Sequence, residues 1–179
     1  MSFLLVIKKT LDRVLDFLVM AVFAILTAVV VWQVFTRYVI GLPSEWTEEL
    51  ATFLMIWIGL LGACVALRLR AHLGIDYVVK KFSPRGQMAA EIFSYLMIAL
   101  FSTCVLLGGG SKLVHLVWVN GQASPALGLP MAVVYAALPV SGFFLTLYSL
   151  ALLYETIIHE RGRNAARPEQ ASDVPKIIE

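Results

Sequence analysis

The sequence has little charge, and its long apolar runs contain no Asp, Glu, Lys, Arg or His. Charged residues make up 15% of the 179-residue chain, against about 25% in a typical soluble domain. Pumps and ion-coupled carriers place ionisable residues inside the membrane. Their absence from the centres of these runs argues against a self-sufficient transporter. It predicts that the chain serves another protein.

Cysteine and catalytic motifs are also scarce. The two cysteines, Cys64 and Cys104, lie apart in apolar runs and form no C-x-x-C motif, which disfavours a membrane disulfide oxidoreductase. No Gly-rich phosphate loop, catalytic triad or paired catalytic carboxylate is present in the sequence. No second ligand-type residue stands at metal spacing beside His115. We therefore expect no enzyme activity, no catalytic residue, no cofactor, no metal and no nucleic-acid partner.

Four long apolar runs make up much of the sequence. A membrane-spanning helix needs about 20 apolar residues, and 60% of the chain is hydrophobic. The fold class predicted is an all-α membrane protein with four transmembrane helices. Residues 1–160 form one transmembrane domain, and residues 161–179 form a cytoplasmic tail expected to be flexible. The first run exceeds a signal-peptide core and lacks a cleavage motif, so we expect it to be retained. The runs are Phe17–Thr36, Leu50–Leu67, Ile92–Ser111 (within a span of about 88–111) and Met131–Tyr154.

Basic residues predict the orientation. Twelve of the 14 Lys and Arg residues lie before the first run, between the second and third, or after the fourth. The intervening loops contain only Arg37 and Lys112. Lys and Arg in short loops favour the cytoplasmic side. Both termini and the segment Arg68–Arg85 are therefore expected in the cytoplasm.

Two cytoplasmic segments have the periodicity of amphipathic helices that lie at the membrane surface. The first runs from Phe3 to Leu18, and the second contains Ile75, Val78, Val79 and Phe82. The alternative is an ordinary extension of each span. The cluster Lys80, Lys81 and Arg85 is a candidate lipid-headgroup site, although topology signalling alone also explains it.

The first outward loop has the densest local chemistry. Ser44 stands where a helix N-cap is expected, and acidic residues in the next turns favour the helix dipole. That structural account competes with a functional one, in which the loop docks a partner protein. Consecutive helix positions are about 100° apart, so Glu48 and Glu49 cannot both face one arginine. The candidate docking residues are Arg37, Trp46, Glu48 and Glu49.

Small residues mark candidate helix-packing positions, because glycine lets neighbouring backbones approach closely. The third run continues past three glycines to Asn120. Its helix is therefore either strongly tilted or broken at those glycines. The candidate packing residues are Gly59, Gly62, Ala63, Gly108, Gly109 and Gly110.

Three stretches, in order along the four runs, resemble the DctQ-like family. The resemblance covers roughly Asp16 to Tyr154. That family is the small membrane subunit of tripartite ATP-independent periplasmic (TRAP) transporters. The stretches are Phe35-x-Arg37-Tyr38 with Trp46-x-Glu48-Glu49-Leu50; Gly62-Ala63 with Ala66-Leu67-Arg68, His72 and Asp76; and Ser124-Pro125-Ala126-Leu127-Gly128-Leu129-Pro130 with Tyr135 and Leu138-Pro139.

The resemblance implies a bacterial inner-membrane protein with two protein partners besides membrane lipid. One partner is a large multi-spanning subunit that carries substrate and sodium, and the other is a periplasmic substrate-binding protein. The small subunit would act as a stationary scaffold in the uptake of organic acids such as C4-dicarboxylates or sialic acids. The alternative is a self-contained oligomeric channel or carrier. Its path would use polar groups such as Thr27, Gln33, Ser102, Thr103 and Ser141.

Overall fold

The computed structural model describes residues 2–41, 44–69 and 84–170, with side chains over 9–41, 44–69 and 86–158. Within these ranges every regular element is a helix, and four helices are long and apolar enough to span a membrane. The predicted fold class is confirmed. The helices are α1 (Ser2–Phe35, followed by a π-helical turn Thr36–Ile40), α2 (Glu45–Arg68), α3 (Pro84–Phe101, followed by a π-helical segment Ser102–Gly109), α4 (Gly110–Val119), α5 (Met131–Tyr135) and α6 (Ala137–Gln170).

These helices form four spans, each of which contains one of the predicted apolar runs. Span 1 is Lys9–Ile40, span 2 is Glu45–Arg68, span 3 is Gly86–Val119 and span 4 is Met131–Ile158. Each span is longer than its apolar run, because the helix continues into the residues that flank the run. Helix α6, which begins in span 4, extends to Gln170, inside the segment predicted as a tail.

Span 4 lies at the centre of the bundle, and span 1 lies at its edge. In the most apolar stretch of span 4, 39% of residues are buried, compared with 6% in span 1. Span 1 packs along span 2, whereas spans 2 and 3 both pack against span 4. The core residues come from all four spans and are Leu15, Leu61, Cys64, Leu67, Tyr95, Phe144, Tyr148 and Leu152.

Span 3 is continuous through its glycines. Helical structure passes from α3 through the π-helical segment Ser102–Gly109 into α4 without a loop. A π-helical segment is wider than an α-helix, and such segments are frequent at functional sites. Here the segment faces span 4, and Ser102 Oγ lies 2.8 Å from the hydroxyl of Thr146. The span is neither broken nor capped at Gly108–Gly110.

Span 4 contains an interruption at Ala136, between α5 and α6. Pro139 accounts for it, because proline lacks an N–H and its ring clashes with the carbonyl three to four residues earlier. Main-chain hydrogen bonds of the helical i to i−4 type nevertheless continue across the interruption. The Ala136 N–H donates to the Ala132 carbonyl at 2.9 Å, and Val140 donates to Ala136 at 3.2 Å.

The N-terminal segment is helical from Ser2 and runs directly into span 1. This agrees with the helical periodicity of its sequence, and the geometry is that of an extension of the span. The second predicted amphipathic segment, with Ile75 and Phe82, lies outside the described residues. So do Lys80, Lys81 and the side chain of Arg85.

Candidate partner-docking site

Ser44 stands at the N-terminal end of span 2, in the position predicted for its N-cap. Ser44 has extended backbone angles, as expected for an N-cap residue, but its side chain makes no capping bond. Instead its carbonyl oxygen accepts a hydrogen bond from the Thr47 hydroxyl at 2.7 Å. The buried Ser44 Oγ has no hydrogen-bond partner among the described residues. The expected residue therefore occupies the predicted cap position, but its hydroxyl does not accept a hydrogen bond from the N–H groups of the first turn.

Glu49 makes the principal contact at this end of the bundle. Its Oε2 accepts hydrogen bonds from the backbone N–H groups of Ala126 and Leu127, at 3.0 and 2.9 Å. Those residues belong to the segment Ser124–Pro130, called here the 124–130 loop. Both Glu49 and this loop belong to the motifs described above, but the sequence does not connect them, since 77 residues separate the interacting groups.

The other docking candidates lie at the same end with exposed side chains. Trp46 is 45% exposed, and Glu48 and Arg37 are also exposed. Among the described residues no salt bridge includes Arg37. Glu45, Glu48 and Glu49 line a shallow pocket of about 370 Å³ together with Thr52, Pro125 and Ala126. The structure thus brings the glutamates to the 124–130 loop, and docking by Arg37 and Trp46 stays a prediction.

A second polar cluster lies at the opposite end of the bundle and is called here the Arg68 cluster (Asp12, Asp16, Arg68 and Tyr148). The Arg68 guanidinium donates to Asp16 Oδ1 at 2.6 Å and to the Asp12 carbonyl at 3.2 Å. The Tyr148 hydroxyl donates to Asp12 Oδ1 at 2.7 Å. The cluster therefore connects spans 1, 2 and 4.

Sequence reasoning missed the Arg68 cluster, although a signal for it exists. Asp12 and Asp16 stand four residues apart in a helical segment, so both carboxylates occupy one face. Charged groups beside apolar spans are costly unless they are paired. Two acids on one face therefore call for a cation at the same depth. Arg68, at the end of span 2, supplies it.

The candidate packing residues divide into two groups. A Cβ added at Gly110 would lie 2.9 Å from Leu138 Cβ, so this glycine is required for contact with span 4. At Gly59 and Gly62 a Cβ would meet nothing within 4 Å. Gly108, Gly109 and Ala63 are exposed. These five positions are open on the subunit surface, where packing against a partner stays a prediction.

Gly142 is a packing residue that the sequence analysis did not identify. A Cβ at this position would lie 2.7 Å from Leu106 Cβ and 2.9 Å from the Leu107 nitrogen. Spans 3 and 4 therefore touch nearly backbone to backbone at the π-helical segment. Nothing local in the sequence distinguishes this glycine from the open ones.

Span 1 has an apolar groove on its surface. The groove has a volume of about 800 Å³, and its only polar side chain is Thr27. The Thr27 hydroxyl donates to the Phe23 carbonyl at 2.9 Å, so it does not require water. The groove is lined by Phe23, Ala24, Thr27, Ala28, Val31, Trp32 and Phe35.

Comparisons with known proteins agree with this architecture. Residues 26–159 match the profile of the family described as tripartite ATP-independent periplasmic transporters, DctQ component. A TRAP transporter small permease protein of Haemophilus influenzae is 27% identical over 147 residues, which cover 82% of this chain and 89% of that protein. The sialic acid TRAP transporter small permease protein SiaQ of Vibrio cholerae is 24% identical, over 83% of this chain and 84% of its own.

A third relative is much longer than this chain. It is the isethionate TRAP transporter permease protein DctMQ of Oleidesulfovibrio alaskensis, 32% identical over 132 residues. The match covers 70% of this chain and 20% of the relative. The family match covers most of the chain, from the middle of span 1 to the end of span 4. The chain therefore belongs to the DctQ family, as the small permease subunit of a TRAP transporter and not an enzyme.

Proposed function

We propose that this multi-pass inner-membrane protein is the stationary scaffold for a large transport subunit. The observation that supports the proposal best is the exposed face of span 1. Only 6% of its most apolar stretch is buried within the chain. A span that contributes so little to its own bundle has most of its surface available for a partner.

The groove on span 1 suits a transmembrane helix of that partner. Ala24 and Ala28 are four residues apart, and small residues at this spacing allow close helix–helix approach in membranes. Bulky side chains including Phe23, Trp32 and Phe35 stand around them. Because Thr27 is already hydrogen-bonded, an apolar helix could fill the groove without leaving a polar group unpaired.

The length of the isethionate relative supports a large permease as the occupant. In that protein the region matching this chain is one-fifth of a single permease polypeptide. The polypeptide of the relative therefore also contains a much larger permease portion. We infer that here the corresponding portion is a separate large subunit, which binds beside span 1.

Three hydroxyl groups argue against the alternative of an oligomeric channel or carrier. They belong to Thr27, Ser102 and Ser141, three of the five polar residues named for such a path, the others being Gln33 and Thr103. Each of these hydroxyls donates to a main-chain carbonyl of its own helix, at 2.9, 3.2 and 3.0 Å respectively. Hydroxyls bonded in this way are satisfied within the helix and offer no free donor to a permeating solute.

The cargo proposed is an organic acid of the C4-dicarboxylate or sialic acid class, delivered by a periplasmic binding protein and coupled to sodium. The name of the Vibrio cholerae relative supports the sialic acid class. Uptake of labelled sialic acid and succinate by the assembled transporter checks this assignment. If neither compound is taken up, this class of cargo is excluded. If uptake is the same when choline replaces sodium, sodium coupling is excluded.

Photo-cross-linking tests the scaffold role. A photoreactive p-benzoylphenylalanine replaces Val31 in the groove, or Phe93 on span 3 as the matched control, since both side chains are 63% exposed. We expect cross-links to the large subunit from position 31 and few from position 93. Because a stationary wall does not move during transport, cross-linked complexes should keep their uptake, and the isolated subunit should transport nothing.

Three results would contradict the proposal. Absence of cross-links from position 31 would show that the groove is not the contact with the large subunit. Loss of uptake on cross-linking, at unchanged complex yield, would show that this subunit moves relative to its neighbour. Uptake by liposomes that contain the small subunit alone would show a self-contained transporter.

A further inference from the structure

The contact between Glu49 and the 124–130 loop joins two spans at one end of the bundle. Glu49 lies in the first turns of span 2, and the loop leads directly into span 4 at Met131. One carboxylate oxygen accepts two consecutive backbone N–H groups, those of Ala126 and Leu127. Hydrogen bonds to an ionised acceptor are stronger than neutral ones, so this contact restrains the loop more than a neutral pair would.

The 124–130 loop is compact and bonded to itself. The Ser124 N–H donates to the Leu129 carbonyl at 2.9 Å, and the Gly128 N–H donates to the Ser124 carbonyl at 3.0 Å. Gly128 has φ 65°, a left-handed conformation that favours glycine. The Met131 N–H also bonds to Gln122, at 2.9 Å. Holding the loop at Glu49 therefore holds the start of span 4.

Glu48 provides an internal comparison. It is adjacent to Glu49 and carries the same charge, but its side chain is exposed. Among the described residues no group donates a hydrogen bond to its carboxylate; its main-chain carbonyl accepts one from the Thr52 hydroxyl. The two residues thus differ in whether their carboxylate accepts hydrogen bonds from the loop.

We propose that Glu49 is a positioning residue, which fixes the 124–130 loop and the start of span 4 against span 2. The Arg68 cluster fixes the other end of span 2 against spans 1 and 4. Span 2 therefore has a polar connection at each end, and these connections make the bundle rigid. This inference rests on the scaffold function proposed above. A small subunit whose spans shift at one end would be a poor scaffold for a large subunit that moves during transport.

Measurements on the subunit alone, in nanodiscs, decide whether the connection exists. Glu49→Ala should accelerate hydrogen exchange at the Ala126 and Leu127 amides by at least about tenfold, because bonds to a charged acceptor contribute about 1.5–3 kcal/mol each. Nitroxide labels at Met55→Cys and Val133→Cys, in a Cys104→Ser background, should show a wider distance distribution between spans 2 and 4. Both labelled positions are exposed, at 62% and 53%.

Kinetics of the assembled transporter decide whether the connection matters for transport. Glu49→Ala should lower kcat several-fold and leave KM for the acid unchanged, since in the scaffold function proposed above the substrate binds to the large subunit. Glu49→Gln keeps an acceptor oxygen and should restore part of the rate. In the measurements on the subunit alone, Glu48→Ala is the matched control and should behave as wild type.

Each contrary result has a distinct meaning. Unchanged amide exchange and unchanged label distances in Glu49→Ala would show that Glu49 does not position the loop. Altered exchange with unchanged kcat would show a contact without a role in transport, and a changed KM would point to substrate delivery instead. Any of these overturns the inference. Failure of the wild-type subunit to bind a large subunit would instead overturn the scaffold function.

Discussion

At the scale of single residues, the charges of span 2 are confined to its two ends. Three glutamates stand in its first turns and Arg68 stands in its last turn. This arrangement matches the helix dipole, which favours anions at the N-terminus and cations at the C-terminus. Glu49 and Arg68 each also bond to another part of the chain. The same residues therefore stabilise the helix and connect it to its neighbours.

Replacing Arg68 by alanine should destabilise the bundle. Arg68 is 16% exposed, and its removal leaves Asp12 and Asp16 side by side without the guanidinium that pairs with both of them. Breaking a fully buried ion pair costs about 3–5 kcal/mol. Because Asp16 is 45% exposed, solvent screens part of that cost, and we expect about 1–3 kcal/mol. Thermal unfolding of the purified subunit in detergent measures the loss.

Tyr148→Phe is the matched comparison for Arg68→Ala. It removes the hydroxyl that donates to Asp12 but keeps the ring, which stacks against Phe144 with centroids 6.4 Å apart. We expect a loss of about 1 kcal/mol, typical of one hydrogen bond. Equal stability of Arg68→Ala and wild type would show that the Arg68 cluster is a surface feature without a role in holding the spans together.

At the scale of helices, the contact between spans 3 and 4 depends on two glycines and a widened helix. Gly110 lies against Leu138 and Pro139, and Gly142 lies against Leu106 and Leu107. Gly142 meets the π-helical segment of span 3 directly. In lipid, where helices gain nothing from hiding apolar surface from water, such close packing is a main source of association.

Gly142→Ala should therefore destabilise the bundle, whereas Gly59→Ala should not. The added Cβ at Gly142 would lie 2.9 Å from a backbone nitrogen, which cannot rotate away, and overpacking typically costs about 1–3 kcal/mol. At Gly59 nothing lies within 4 Å, so alanine should gain about 0.5–1 kcal/mol from helix propensity. Unfolding of both purified variants measures the difference, and a Gly142 variant as stable as the Gly59 variant would refute the contact.

The same helices show what could be predicted from the sequence. The four spans follow from long uncharged runs, because each backbone polar group in lipid must bond within its own helix. That physical rule is local, so the sequence was sufficient for it. The interruption near Pro139 follows equally from the missing N–H of proline.

The site contacts could not be predicted in this way, because their partners are distant in sequence. Glu49 and the amides of Ala126 and Leu127 are 77 and 78 residues apart. The pattern of acids in span 2 predicted a free carboxylate but not its acceptor role. Gly142 and Gly59 are both glycines in apolar helices, and only the packing of the bundle distinguishes them.

At the scale of the whole molecule, the spans place the polar contacts at opposite ends. The Arg68 cluster joins the start of span 1, the end of span 2 and the later part of span 4. Glu49 joins the start of span 2 to the loop before span 4. Because the number of described spans is even, the start of span 1 and the end of span 4 lie on the side of the Arg68 cluster. Whether that side faces the cytoplasm or the periplasm is predicted from the distribution of basic residues.

We expect the Arg68 side to be cytoplasmic, because twelve of the 14 Lys and Arg residues occur at that end and short basic loops resist translocation. Alkaline phosphatase, which is active only outside the cytoplasm, is fused after Leu42, Phe82, Gln122 or the C-terminus. Activity is expected after Leu42 and Gln122 and not at the other two positions. A fluorescent protein that matures only in the cytoplasm should give the complementary pattern. Phosphatase activity at Phe82 would reverse the orientation, place Glu49 and the 124–130 loop in the cytoplasm, and remove the basis for an outward-facing docking surface.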